Sequence, residues 1–198
     1  MPALCLLLDG ELLATVNTKG YDVVSVHVHG TRTDVEFATL EMSGGIYPGN
    51  GESTHLVWVN HRELLPSQRV EVRFQEKGET HPRGKTIEEL FPEETEGEEP
   101  VEFKPTEAMV AELRSKPTLR SGYELQFAGT SGATFSGRTA PSDHGFSFTV
   151  VWNSHRPNRA SLSLHGYTID ELESRAPMRD FVREYIEAPH SAALRVDA

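Results

Sequence analysis

Apolar and polar positions alternate with a period of two along much of the chain, the signature of strands with one buried face. In "LCLLLDGELLATV" two apolar runs flank Asp9-Gly10, a dipeptide suited to a two-residue hairpin because both central positions take positive φ. In "YDVVSVHVHG" Val24, Val26 and Val28 share one face, and Ser25, His27 and His29 share the other. "VEFATLEM" (35–42), "THLVWV" (54–59) and "RVEVRF" (69–74) read as further strands by their β-branched and aromatic content. "SGGIYPGNGES" reads as a long loop. This half is expected to be an antiparallel meander.

The pattern then breaks. Eight glutamates lie between positions 88 and 102, with Pro92 and Pro100 among them; such a run repels itself and cannot bury apolar area. "PTEAMVAELRSKP" predicts a short helix capped by Thr106, with Met109, Val110 and Leu113 on one face and Pro117 ending it. Strands resume with "GYELQF", "FSFTVVW" and "ASLSLHG". In "APMRDFVREYIEAP", Met178, Phe181, Val182, Tyr185 and Ile186 fall at the 3–4 spacing of a core-facing helix between Pro177 and Pro189. The last residues are expected to be loose. The fold class read from these elements is β-rich α+β: an N-terminal β module (1–91), an acidic linker (92–104), a C-terminal β module with helices (105–190) and a loose tail (191–198).

Two strings occur twice in the same order. Trp58-x-x-His61-Arg62 answers Trp152-x-x-His155-Arg156, and "TIEEL" (86–90) answers "TIDEL" (168–172). Thr86…Glu89 and Thr168…Glu171 both match the capping box, in which side chain and backbone satisfy each other's free donors. The simplest account is duplication of one antiparallel module, each copy ending in a short capped helix, with an amphipathic helix at the C-terminus. Trp58, His61, Arg62, Trp152, His155 and Arg156 are then candidates for a pocket or a partner surface, although a tryptophan at such a position also serves as a core anchor.

Composition narrows the function classes. The 198 residues are 37% hydrophobic and 25% charged, enough for a packed core, with a net charge of −11. That balance argues against nucleic acid and against an anionic membrane surface, and it would steer a basic partner toward the chain. A single cysteine, Cys5, allows no intrachain disulfide. Its apolar surroundings suit an inert thiol. The short apolar N-terminal run has no basic leader and no run approaches membrane-spanning length, so the cytoplasm is the expected compartment.

Several motifs approach known chemistry and miss it. "GETHPRGKT" (78–86) resembles a Walker A loop but holds five residues between Gly78 and Gly84 where four are needed, and Pro82 removes a backbone donor. His27 and His29 resemble the His-x-His pair of cupin metal sites and are the metal candidates, since alternate residues share a strand face. Glu36 and His55 do not fit the remaining cupin spacing. "GTSGATFSG" (129–137) places Ala133 where a nucleophile elbow needs glycine, and reads as a flexible hairpin loop. Asp143 and His144 are adjacent in sequence, which does not make a triad. No catalytic or cofactor-binding residue is assigned, and no cofactor is expected. The leading expectation is a non-enzymatic acidic binding or regulatory protein acting on a protein partner, in one form an immunity-type neutraliser of a basic protein. The alternatives are a metal-dependent or hydrolytic enzyme built from scattered His, Asp and Glu, and a structural or assembly subunit.

Overall fold

The computed structural model describes residues 1–92, 107–130 and 132–198. The strands of the first half are β1 (Ala3–Leu8), β2 (Glu11–Asn17), β3 (Val23–Thr31), β4 (Ala38–Ile46), β5 (Thr54–Leu64) and β6 (Arg69–Gln75). Two helices follow, α1 (Ile87–Leu90) and α2 (Glu107–Ser115), then β7 (Glu124–Ala128), β8 (Thr134–Arg138), β9 (Gly145–Asn153) and β10 (Arg159–Tyr167). The chain closes with α3 (Ile169–Ser174), β11 (Arg179–Glu187) and β12 (His190–Asp197). All pairings between these strands are antiparallel.

The strands form two six-stranded sheets, ordered β2-β1-β6-β12-β7-β8 and β11-β10-β9-β3-β4-β5. Alternation decides what fills the space between them. Leu4, Leu6, Val70, Val72, Phe74, Leu125, Phe127 and Leu194 point inward from the first sheet; Val24, Val26, Val28, Leu40, Met42, Phe146, Phe148, Val150 and Leu162 do so from the second. All belong to one buried cluster, and Phe127 approaches Phe148 across it with ring centroids 6.2 Å apart. The result is a β-sandwich with a single core.

Each sheet takes three strands from each half of the chain. The halves meet where β6 pairs with β12, Val70 opposite Leu194, and where β3 pairs with β9, Val26 opposite Val150. The expected modules 1–91 and 105–190 therefore share both sheets. The order of each sheet is also the same read from either edge, with β1 to β6 matched by β7 to β12.

Four local expectations need correction. Residues 179–187 form β11, not a helix: Ile186 is buried opposite Ala160 while Tyr185 is exposed, which is strand alternation. Its apolar residues fit both periods, and β-branched and aromatic types favour the pleated surface. The tail 191–198 is not loose, because β12 inserts between β6 and β7 and buries Ala192, Leu194 and Val196. Residues 134–138 are the edge strand β8, paired with β7, and not a flexible loop. Thr86 and Thr168 each cap a helix with a reciprocal capping box, but α3 lies between β10 and β11 and does not end its half. The acidic linker, apart from Pro92, lies outside the described residues, as do Thr106 and Ser131.

In the first half, residues 78–85 close the open side of the sandwich. Thr15 of edge strand β2 exchanges backbone hydrogen bonds with His81, and Val57 of edge strand β5 does so with Lys85. Asn17 fixes the start by donating to Gly78 O at 2.6 Å. The segment that resembles a phosphate loop is thus an edge cover, which blunts strand edges that would otherwise pair with other chains.

Candidate functional site

The two Trp-x-x-His-Arg groups lie on strands of opposite direction. Trp58 begins a stretch of β5 that runs toward the end of the sandwich at Leu64, opposite Ala38. Trp152 leads instead to the β9–β10 turn, beyond Asn153 and opposite Val23. Both indoles enter the core, at 7% and 1% exposure. Trp152 donates to Pro157 O at 3.0 Å. Trp58 packs edge-on against Tyr21, and its Nε1 is buried without a partner among the described residues. His61, Arg62, His155 and Arg156 are exposed and diverge to opposite ends, so the six residues form no common pocket. His61 sits at a bulge with φ +35°, and Arg156 donates to Tyr185 OH at 3.3 Å.

His27 and His29 face outward from the middle of the second sheet, opposite the valines. His27 lies between Glu41 and Thr149, and His29 between Thr39 and Ser147. His61 Nε2 stands 3.7 Å from Glu41 Oε2, and His165 continues the row beyond Ser147. Burial lowers the pKa of His27, His29 and His165 below the ordinary histidine value. The side chains do not assemble a coordination sphere: among the described residues no three His, Cys, Asp or Glu groups are placed to hold a metal.

The densest set of buried polar groups is at the end of the sandwich where β3 exits and β9 enters. Asp143 is 4% exposed and His144 is 9% exposed. Gly145 follows them because a Cβ there would strike Gly30 O and the Tyr167 ring. The loop is held by main-chain bonds, with Arg32 N–H donating to His144 O at 2.8 Å and His144 N–H to Tyr167 O at 2.7 Å. Asp143 Oδ2 accepts from Ala140 N–H at 2.7 Å and from Arg179.

Two arginines serve as braces. Arg32 donates through Nε to Arg120 O at 3.1 Å and through Nη1 to Pro141 O and Asp143 O. Arg120 donates to Thr31 O and to Val35 O, and lies over the rings of Phe37 and Tyr123. The Tyr123 hydroxyl stands between Thr31 O at 2.6 Å and Phe37 O at 2.9 Å. Burial pushes its pKa up to about 12, and burial likewise raises that of Tyr167. Both phenols stay protonated near neutrality, and that of Tyr123 acts as a hydrogen-bond donor.

A cleft of about 330 Å³ opens over this floor, lined by Arg32, Thr33, Thr118, Ser142, His144 and the start of α3, with Arg114 and Asp170 at its mouth. Arg114 bridges Asp170 and Glu173, joining α2 to α3. The His144 ring makes no hydrogen bond among the described residues and is not sealed off. Burial lowers its pKa, with Arg32 and Lys116 acting the same way and Asp34 opposing. A neutral imidazole facing open space can both donate and accept. Nothing in the described cleft activates a nucleophile: Asp143 bonds Arg179 and not His144, and no hydroxyl bonds the His144 ring.

Sequence reading set Asp143-His144 aside on their adjacency alone. Their partners Arg32 and Arg179 are 111 and 36 residues from Asp143, beyond the reach of local pattern. The glycines at 30 and 145, each at the cleft end of its strand, were the one local signal of close backbone approach. Compared with protein-family models, curated proteins and solved structures, the chain matches none. Among the described residues no helix is long and apolar enough to cross a membrane.

Proposed function

We propose that the chain is a non-enzymatic binding protein that recognises a protein partner with the loops surrounding this cleft. One observation carries the reading: the loops are braced by two half-buried arginines and one buried tyrosine directed at backbone carbonyls, with Arg32, Arg120 and Tyr123 together contacting Thr31, Val35, Phe37, Arg120, Pro141 and Asp143. Loops fixed in this way lose little conformational entropy on binding, which is how a rigid scaffold presents a recognition surface.

The braced loops also carry exposed apolar side chains. Val35 is 84% exposed and Leu119 is 52% exposed; the carbonyl of Val35 and the amide of Leu119 are both fixed by this bracing. Asp34 and Glu36 flank Val35, and Asp170 and Glu173 stand at the cleft mouth. An apolar anchor flanked by carboxylates suits a basic protein surface, with charge setting the association rate and apolar contact most of the affinity. An immunity-type neutraliser of a basic protein is one form this function takes. The matched order of β1–β6 and β7–β12 supports a duplication of one six-stranded unit as the origin of the scaffold, in a register that does not equate Trp58 with Trp152.

The test is binding to a partner recovered at low salt. Val35→Glu with Leu119→Glu is expected to abolish capture, while Arg62→Ala with Arg156→Ala leaves it intact. Association should slow as salt rises, because exposed charges are screened beyond about 10 Å at 0.1 M. Capture unaffected by the changes at 35 and 119 would contradict the assignment.

A further inference from the structure

Among the described residues the cleft holds one uncommitted guanidinium edge, several hydroxyls and an imidazole ring that can donate to a ligand. Several acceptors nearby are occupied, Pro141 O and Asp143 O by Arg32, Asp143 Oδ2 by Arg179 and Ala140 N–H, and Asp170 Oδ1 by Arg114, and the two carboxylates are each bonded to an arginine through one oxygen. By contrast, Arg32 Nη2 has no partner among the described residues, nor do the side-chain hydroxyls of Thr118 and Ser142. Thr33 makes only a 3.4 Å contact with Thr31. The His144 ring, buried to nine-tenths, faces the same space without a partner. At the mouth, Arg114 is committed only to ion pairs with the exposed groups Asp170 and Glu173, at side-chain exposures of 84% and 44%, and such pairs yield readily to a competing anion.

We propose that this cleft is a binding site for a carboxylate. Arg32 supplies the cation, with the free Nη2 edge of its guanidinium offered to one oxygen. Thr118, Ser142 and Thr33 supply neutral hydroxyl donors, and His144 donates a ring N–H to the second oxygen. Because Arg32 is already held by three carbonyls, its charge is positioned before the ligand arrives and little ordering cost remains. The volume of about 330 Å³ is at the small end of the range for small-molecule pockets. It suits a small acid or the terminus of a peptide rather than a cofactor. The site lies within the same cleft that the partner-binding loops surround, but carboxylate binding requires only the chain itself, so it is tested without the partner.

The two sources of a carboxylate are separated by the probes. Full-length protein labelled in histidine is titrated with succinate, with triglycine and with triglycine amide, following the His144 ring resonances. Saturable shifts are expected with at least one carboxylate at a Kd of about 1 mM or tighter, and none with the amide. Succinate alone would mark a free small acid as the ligand class, and triglycine alone a peptide C-terminus. The double variant Thr118→Val, Ser142→Ala changes two exposed residues and is expected to retain the fold, with affinity lowered at least about tenfold. His144→Gln, read by calorimetry, should retain part of the binding because an amide still donates. Absence of saturable shifts with both carboxylates overturns the proposal. So does equal binding of the amide, unchanged affinity in the double variant, or tighter binding of inorganic phosphate than of either carboxylate.

Discussion

The carboxylate of Asp143, 5% exposed, is bonded to the guanidinium of Arg179, which remains 47% exposed. One side chain thus ties the loop entering β9 to the first residue of edge strand β11, while the same carboxylate oxygen turns the loop on itself through Ala140 N–H. Loss of Asp143 should loosen the cleft and the strand edge together. Asp143→Ala is expected to cost about 2 kcal/mol in urea unfolding, below the cost of breaking a fully buried pair because water reaches the abandoned arginine. A change under about 0.5 kcal/mol would show that the loop is held by its main-chain bonds alone.

Tyr123→Phe removes the hydroxyl that stands between Thr31 O and Phe37 O; Thr31 O keeps its bond from Arg120, so the loss falls chiefly on Phe37 O. The expected cost is about 1–2 kcal/mol, with faster amide exchange confined to residues 31–37 and the neighbouring loops. Exchange that rises uniformly across both sheets would mean that the hydroxyl supports the core and not the loops.

The edge cover makes a paired prediction. A Cβ at Gly84 would meet Trp58 Nε1 at 2.9 Å and Leu56 Cβ at 3.0 Å, whereas one at Gly49 meets nothing within 4 Å. Gly84→Ala should destabilise by about 1–3 kcal/mol and shift the emission of Trp58. Gly49→Ala should stay within about 0.5 kcal/mol of the parent. Equal effects at the two positions would deny that residues 78–85 pack on the indole.

Acid should act in two stages. His27, His29, His144 and His165 have pKa values lowered by burial, so the unfolded chain takes up protons first. Stability is therefore full above the unfolded histidine value of about 6.5 and falls as pH drops through the window beneath it. Glu71 is held below the usual carboxylate range chiefly by its hydrogen bond from Arg73, with Arg69 adding to it. Its contribution persists through the histidine window and is lost at lower pH, from the unfolded glutamate value of about 4.3 downward. Thermal midpoints measured from pH 7.5 to 5.5 should decline, and His165→Gln should flatten the decline. A midpoint constant over that range would contradict the assignment of these histidines as neutral in the fold.

How much of this was legible follows from the range of each interaction. Val24, Val26 and Val28 announced an inward face because alternation is local, and the outward placement of His27 and His29 came with it. The Asp9-Gly10 hairpin was legible for the same reason, and both residues take positive φ. Phe181, Val182, Tyr185 and Ile186 misled because an edge strand asks little burial of its residues, so their spacing satisfied a helix equally well. The insertion of β12 between β6 and β7 leaves no local trace; it is fixed by pairings distant in sequence, with Leu194 opposite Val70 on one side and Phe127 on the other. The paired Trp-x-x-His-Arg strings were real in the sequence, yet they lie on β5 and β9, which hold different places in the sheet. The cleft was invisible because its parts are single residues on loops far apart in the chain.

The central claim is that the braced loops, and not the opposite end of the sandwich, meet a protein partner. Its most direct test is site-specific photo-crosslinking from position 35, beside the cleft, and from position 47, in the β4–β5 loop at the other end. Tyr47 is 44% exposed and so able to report a contact. The account predicts a discrete adduct with one protein from position 35, diminished by salt, and none from position 47. Adducts from position 47 alone, or from neither position, would contradict it.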